Sequence, residues 1–172
     1  MSLSKLCIKR ITGDLISFEK HNPTFFDVYP NKDNILEINF IMYGRPDTPY
    51  YGGRYIGKII HNPEYPLKAP DYYVLTPNGR FDINKKICLT NSSFHQDEWA
   101  PTWNLVSMLE GFDSVWHSNI KEDLIGIGHL RDTPNDIIIE LKNRSIEYNN
   151  HHYYELYNSF PKIKLNYNPY TL

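Results

Sequence analysis

The sequence holds little cysteine, no long apolar run and no excess of either charge. Cys7 and Cys88 are the only two cysteines in 172 residues, and they stand far apart. They make neither a disulfide framework nor a zinc site. No apolar stretch approaches the ~20 residues a bilayer span needs, and the N-terminus lacks the apolar core of a signal peptide. Eighteen basic residues against twenty acidic ones leave a net charge of −2. That balance excludes a basic nucleic-acid footprint, and no acidic tail appears. These absences predict a reduced, intracellular, soluble domain. What is plentiful is aromatic: 15% of the chain, with fourteen Tyr, alongside twelve Pro. Hydrophobic residues at 41% and charged residues at 22% mark a globular chain. Its length suits one domain, which buries on the order of 70% of the surface its unfolded chain exposes.

The first twenty residues read as a helix. Leu3, Cys7, Ile11, Leu15 and Phe18 recur at helical spacing on one face. Lys5, Lys9 and Arg10 lie off that stripe, and the helix ends before His21-Asn22-Pro23, since a residue preceding proline is pushed out of the α region. The period then changes. Phe25 to Tyr29, Ile35 to Tyr43, Arg54 to Ile60 and Asp71 to Thr76 are short β-branched and aromatic runs, bounded by Pro, Gly, Asn or Asp. The gaps are too short for parallel crossovers, which predicts an antiparallel meander. Leu36, Ile38, Phe40 and Met42 alternate as one buried face.

After Thr76-Pro77-Asn78-Gly79 comes an irregular stretch of about twenty-five residues with Cys88, His95, Trp99 and Trp103. So long a loop in a compact domain is usually functional or disordered, and its aromatic content argues for order. Leu105, Leu109, Phe112 and Trp116 predict a helix. Thr133-Pro134-Asn135-Asp136 predicts the start of another, with Thr133 as N-cap, Pro134 at the first helical position and Asp136 closing a capping box. A last short helix covers Tyr153 to Phe160, and the polar end from Lys162 to Leu172 is expected to fray. The order is helix, antiparallel strands, organised loop, helices: an α+β domain.

Cys88 is the sharpest chemical candidate. In a loop its thiol is accessible as a nucleophile, whereas a free cysteine also packs well as a small hydrophobe. Cys7, on the apolar helix face, is a core residue. His95 follows Cys88 and precedes Asp97; a Cys, a His and an acid invite a cysteine-hydrolase triad, although such partners need geometry and not sequence proximity. An exposed loop histidine has the same local sequence. Asn78 offers two amide N–H groups to an oxyanion, or simply forms an Asn-Gly turn. His151-His152 lacks further ligands and reads as solvent-exposed.

Together these motifs resemble the ubiquitin-conjugating enzymes over nearly the whole chain. Gly44-Arg45-Pro46-Asp47-Thr48-Pro49-Tyr50-Tyr51-Gly52-Gly53 resembles the family's segment between its second and third strands, and Tyr65-Pro66-Leu67-Lys68-Ala69-Pro70 is similar to its proline-rich loop. Pro77-Asn78 followed by Ile87-Cys88-Leu89 resembles the catalytic loop, and Trp99-Ala100-Pro101-Thr102 the loop before the second helix. Two departures narrow the branch. Thr76 stands where most of the family has His, and the stretch from Asn78 to Cys88 is longer. With Phe94-His95, Asp97, Trp99, Pro101 and Trp103, this resembles the tail-anchored branch serving endoplasmic-reticulum-associated degradation. That branch ends in a membrane helix, which this sequence lacks. The implied location is cytoplasmic, or the cytosolic face of that membrane if an anchor was removed.

The resemblance implies a catalytic domain over residues 1–160 and a polar tail over 161–172. Cys88 would accept ubiquitin as a thioester from the activating enzyme and pass it to a substrate Lys, usually with a ligase. Asn78 would donate to the oxyanion or brace the loop. His95 would be the base, suiting Ser and Thr hydroxyls as well, with Ser118 a weaker groove-side candidate. Lys5, Lys9 and Arg10 would meet acidic patches on the activating enzyme, and Leu67, Ala100 and Pro101 would face ligases. The resemblance implies neither a metal nor an organic cofactor, since ATP is consumed by the activating enzyme. Three other readings share this sequence: a conjugating enzyme for another ubiquitin-like modifier, a non-transferring ubiquitin-binding scaffold, and a cysteine hydrolase using Cys88 and His95.

Overall fold

The computed structural model describes residues 3–118 and 126–171. Helix α1 spans Lys5–His21. The Ser4 hydroxyl caps it by accepting from the Cys7 N–H, and Asn22 ends it in the left-handed conformation while donating to the Phe18 carbonyl. Cys7, Ile11 and Phe18 are buried and Leu15 is half-buried, as the spacing predicts, whereas Leu3 precedes the helix. Asp14 is buried on the same face. Its charge is answered by Arg10 Nε at 2.9 Å and by the Tyr65 hydroxyl, which donates to it.

Strands β1 (Phe26–Pro30), β2 (Glu37–Tyr43), β3 (Arg54–Ile60) and β4 (Asp71–Val74) pair in sequence order as an antiparallel sheet. Leu75 and Thr76 leave β4 early, because both of their N–H groups turn to the Ile56 carbonyl. Helix α2 (Leu105–His117) is capped by a reciprocal Asn104–Ser107 box and fills the inner face of the sheet. Phe112 meets Phe40 edge-on there, with ring centroids 5.8 Å apart. Helix α3 (Asn135–His152) follows, then α4 (Tyr154–Tyr157) and α5 (Pro161–Lys164). The α+β architecture is the one the pattern predicts. The start of α3 differs: Pro134 occupies the N-cap position, Thr133 lies outside the helix, and no side chain caps it.

Two further expectations are corrected. Strand β2 is buried on both faces, from Ile38 through Tyr43. Ile38, Phe40 and Met42 face the main core, while Ile41 and Tyr43 join Ile56, Leu75, Tyr157 and Phe160 in a second cluster. The C-terminal segment that supplies this cover does not fray. Lys162 is buried; its ammonium donates to the Phe26 carbonyl at 2.6 Å and to that of Pro23, and its N–H donates to Asp27 Oδ2 at 2.7 Å. Further on, the Tyr167 hydroxyl donates to Thr24, and the Tyr170 hydroxyl accepts from Gly52 N–H while donating to the Gly44 carbonyl. Among the described residues no helix is long and apolar enough to cross a membrane.

Candidate active site

The stretch after β4 is held in place by hydrogen bonds to its neighbours rather than by secondary structure of its own. Thr76, where the resembled family mostly has His, is fully buried. Its hydroxyl accepts from the Ile56 N–H and donates to Asn149 Oδ1 at 2.6 Å, tying the loop to β3 and α3. Asn78 is 1% exposed. Its amide donates to the Thr76 and Phe81 carbonyls, and its oxygen accepts from the Arg80 and Phe81 N–H groups. Both donors that sequence reasoning offered to an oxyanion are therefore engaged within the turn. In this geometry Asn78 braces the loop.

Cys88 is partly exposed, with its Sγ 3.1 Å from His95 Nε2. His95 ends the 3₁₀ turn Ser93–His95, which hangs on the proline-rich loop. Ser93 N–H donates to the Pro70 carbonyl, Gln96 bridges Ala69 and Leu67, and Trp99 Nε1 donates to the Pro66 carbonyl at 2.8 Å. The other His95 nitrogen, Nδ1, lies 3.4 Å from Glu98 Oε1. The acid beside the imidazole is thus Glu98 and not Asp97. The ring stands between the thiol, at Nε2, and a carboxylate, at Nδ1. Burial pushes the Cys88 thiol above its ordinary pKa; a backbone hydrogen bond with Ile127 opposes this and the Glu98 charge adds to it. The resting sulfur is therefore a thiol at neutral pH, and the adjacent imidazole is the group placed to take its proton.

A segment that sequence reasoning missed completes the site. Residues 126–130 lie along the Cys88 loop: Cys88 N–H donates to the Ile127 carbonyl, Asp82 N–H to that of Gly128, and Leu130 N–H to that of Arg80. His129 Nε2 lies 2.8 Å from the Cys88 carbonyl oxygen. Gly126-Ile127-Gly128 was the one local hint of this approach. A Cβ at Gly126 would stand 2.9 Å from the Cys88 Cβ, and Gly128 has φ of +84°. Glu98 was likewise missed, since nothing in the sequence separates it from Asp97.

The other expected residues divide. Lys5 and Lys9 are exposed on α1. Arg10 is not free beside them: it is half-buried and donates to the Pro101 carbonyl at 2.8 Å and to that of Trp103, pinning α1 to the loop before α2. Leu67 is 62% exposed; Pro101 is exposed and Ala100 half-buried. Ser118 spends its hydroxyl on the Val115 carbonyl at the end of α2. Cys7 is fully buried, and His151 and His152 are exposed.

An α+β domain with its meander sheet over a central helix, and a cysteine–histidine pair in a pinned loop, defines a thiol-based site on a known type of scaffold. The sequence profile of the ubiquitin-conjugating enzymes matches residues 10–128. The chain belongs to that family. It is 40% identical over 116 residues to "Ubiquitin-conjugating enzyme E2 6" of Schizosaccharomyces pombe, covering 67% of this chain and 51% of that protein. It is 41% identical over 115 residues to "Probable ubiquitin-conjugating enzyme E2 33" of Arabidopsis thaliana, covering 67% and 47%. To "Ubiquitin-conjugating enzyme E2 J2-like" of Dictyostelium discoideum it is 36% identical over 116 residues, covering 67% and 68%. The match spans about half the length of the fission yeast and Arabidopsis relatives.

Proposed function

We propose that this chain is a ubiquitin-conjugating enzyme whose nucleophile is Cys88, with His95 as its general base. The observation that carries the reading is the 3.1 Å approach of His95 Nε2 to Cys88 Sγ, in a loop of the family's pattern. In loading, Cys88 gives its proton to His95 and its sulfur attacks the thioester carried by the activating enzyme. The new thioester forms on Cys88 as the activating enzyme's thiolate leaves. In transfer, the acceptor nitrogen or oxygen attacks that carbonyl, its proton passes to His95, and the Cys88 thiolate leaves. A Lys acceptor gives an isopeptide, and a Ser or Thr acceptor an ester. His95 is the group that makes a hydroxyl acceptable, because a hydroxyl keeps its proton far more tightly than a Lys ammonium does. Lys5 and Lys9 provide the charged face for the activating enzyme, and Leu67, Ala100 and Pro101 the ligase-facing patch. The tail-anchored branch is favoured by Thr76-Pro77-Asn78-Gly79 together with His95, and by likeness to relatives named E2 6 and E2 J2-like.

Charging with activating enzyme, ATP and ubiquitin, read on a non-reducing gel, tests the assignment. Cys88→Ser should trap an oxyester and lose transfer, Cys88→Ala should take no modifier, and Cys7→Ser should charge as the wild type does. Charging of Cys88→Ala at the wild-type level would end the reading, and charging only by another modifier would redirect it. Single-turnover discharge of His95→Ala should fall more to free serine than to free lysine, with the serine loss about 10²-fold or more. Equal losses would reduce His95 to a loop contact.

A further inference from the structure

His129 lies one residue beyond the stretch that the family profile matches, yet it touches the peptide of the nucleophile. Its Nδ1 is 3.2 Å from Arg80 Nη1, and its Nε2 is 2.8 Å from the Cys88 carbonyl oxygen. A guanidinium only donates, so Nδ1 must be the acceptor. The ring proton then sits on Nε2 and is donated to Cys88. Arg80 is itself fixed: its Nη2 donates to the Val115 carbonyl in α2, at 3.2 Å, and its guanidinium lies over the Phe81 ring. Phe81 packs edge-on against His129 and also meets Phe112 and Trp116. With the Cys88 N–H held by Ile127, both polar backbone groups of the nucleophile are bonded to residues 127–129.

We infer that His129 is a positioning residue for Cys88: its neutral imidazole links Arg80 to the Cys88 carbonyl and so fixes the thiol against His95. The inference rests on Cys88 being the thioester-bearing residue. Burial holds the His129 pKa below the ordinary histidine value; the hydrogen bond to the Cys88 carbonyl opposes this and the Arg80 charge adds to it, with a net lowering that suits the neutral ring the linkage requires. Protonation would set two donors face to face at Nδ1. A glutamine can reproduce the linkage, because its amide donates toward Cys88 while its oxygen accepts from Arg80.

The test uses the full chain, charged with ubiquitin and discharged to free lysine in a single turnover. His129→Ala should slow discharge by about 10–100-fold, the usual cost of a nucleophile displaced by an ångström, and His129→Gln should return it to within a few-fold of wild type. A wild-type rate for the alanine variant, or a glutamine variant as slow as the alanine one, would overturn the inference. Should His129→Ala fold poorly, the wild-type ring decides alone: ¹⁵N chemical shifts at neutral pH should report the neutral Nε2–H tautomer, and the Nδ1–H tautomer or the imidazolium would overturn it. A wild-type chain that takes no ubiquitin while showing the Nε2–H tautomer would instead fault the conjugating reading.

Discussion

Asn78 and Thr76 show how much of the loop that carries Cys88 is framework. Each Asn78 hydrogen bond is to a backbone group of its own turn, so Asn78→Ala strands buried N–H and C=O groups together. A loss of about 2–3 kcal/mol is expected in urea unfolding. Asn78→Asp is the sharper test. It keeps the oxygen that accepts from Arg80 and Phe81, but turns a carboxylate toward the Thr76 and Phe81 carbonyls. Its stability should fall further as pH rises and the carboxyl ionises, whereas the alanine variant should show no such added slope. Thr76→Val keeps the shape of its site and removes only the hydroxyl between Ile56 and Asn149. It should cost about 1–3 kcal/mol, because both former partners stay buried. The motif was legible in the sequence, but these partners were not: Asn149 is a polar residue on a helix that meets the loop through Ile138 and Leu141 at Gly79, and nothing local marks it as buried. His129 was hidden for the same reason, since a hydrogen bond across the chain leaves no periodic trace.

At the scale of the element, periodicity served well where one face is buried and failed where two are. Helix α1 and helix α2 each show one apolar stripe, and each was legible in position and face. Strand β2 carries a continuous buried run that alternation alone splits into an inside and an outside. Its second face is covered by residues spaced over a polar stretch, Tyr157, Phe160 and Tyr167, with Lys162 between them. A lysine normally marks solvent. Here its ammonium is satisfied by two carbonyls and set 5.0 Å from the Tyr167 ring centroid, close to Asp27, so it acts as a buried clip. Lys162→Ala should destabilise the fold by about 3 kcal/mol, the cost of breaking a buried pair from one side. That corresponds to a fall in melting temperature of roughly 6–12 °C for a domain of this size. Charging per folded molecule should be unchanged, because among the described residues Lys162 makes no bond to the Cys88 loop.

Across the whole molecule, the reacting groups depend on the sheet through its loops, and His61 stands at the join. It follows β3 and is 2% exposed. Its N–H and its ring Nδ1 both point to the Leu36 carbonyl, at 2.7 and 3.0 Å. The ring lies edge-on to Tyr65, 4.4 Å between centroids, at the start of the proline-rich loop from which the His95 turn hangs. Nε2 is buried and has no partner among the described residues. Burial therefore pulls its pKa down to about 4 from the ordinary 6.5, with the Leu36 carbonyl opposing. The folded-state pKa lies below the unfolded one, so the native state is the poorer proton binder. Stability is whole above pH 6.5 and declines as pH falls, because the unfolded chain takes up a proton that the native ring refuses. The slope approaches 1.4 kcal/mol per pH unit between pH 6.5 and 4, roughly 3 kcal/mol in all. His61→Phe cannot titrate, keeps an aromatic edge against Tyr65, and leaves the Leu36 carbonyl its backbone donor. Urea unfolding of both proteins from pH 7.5 to 4.5 should show the wild type losing stability faster on the acid side. The difference between the two curves should grow from pH 6.5 downward. Parallel curves over that range would mean that His61 is protonated in the folded protein and that the join between sheet and loop tolerates the charge.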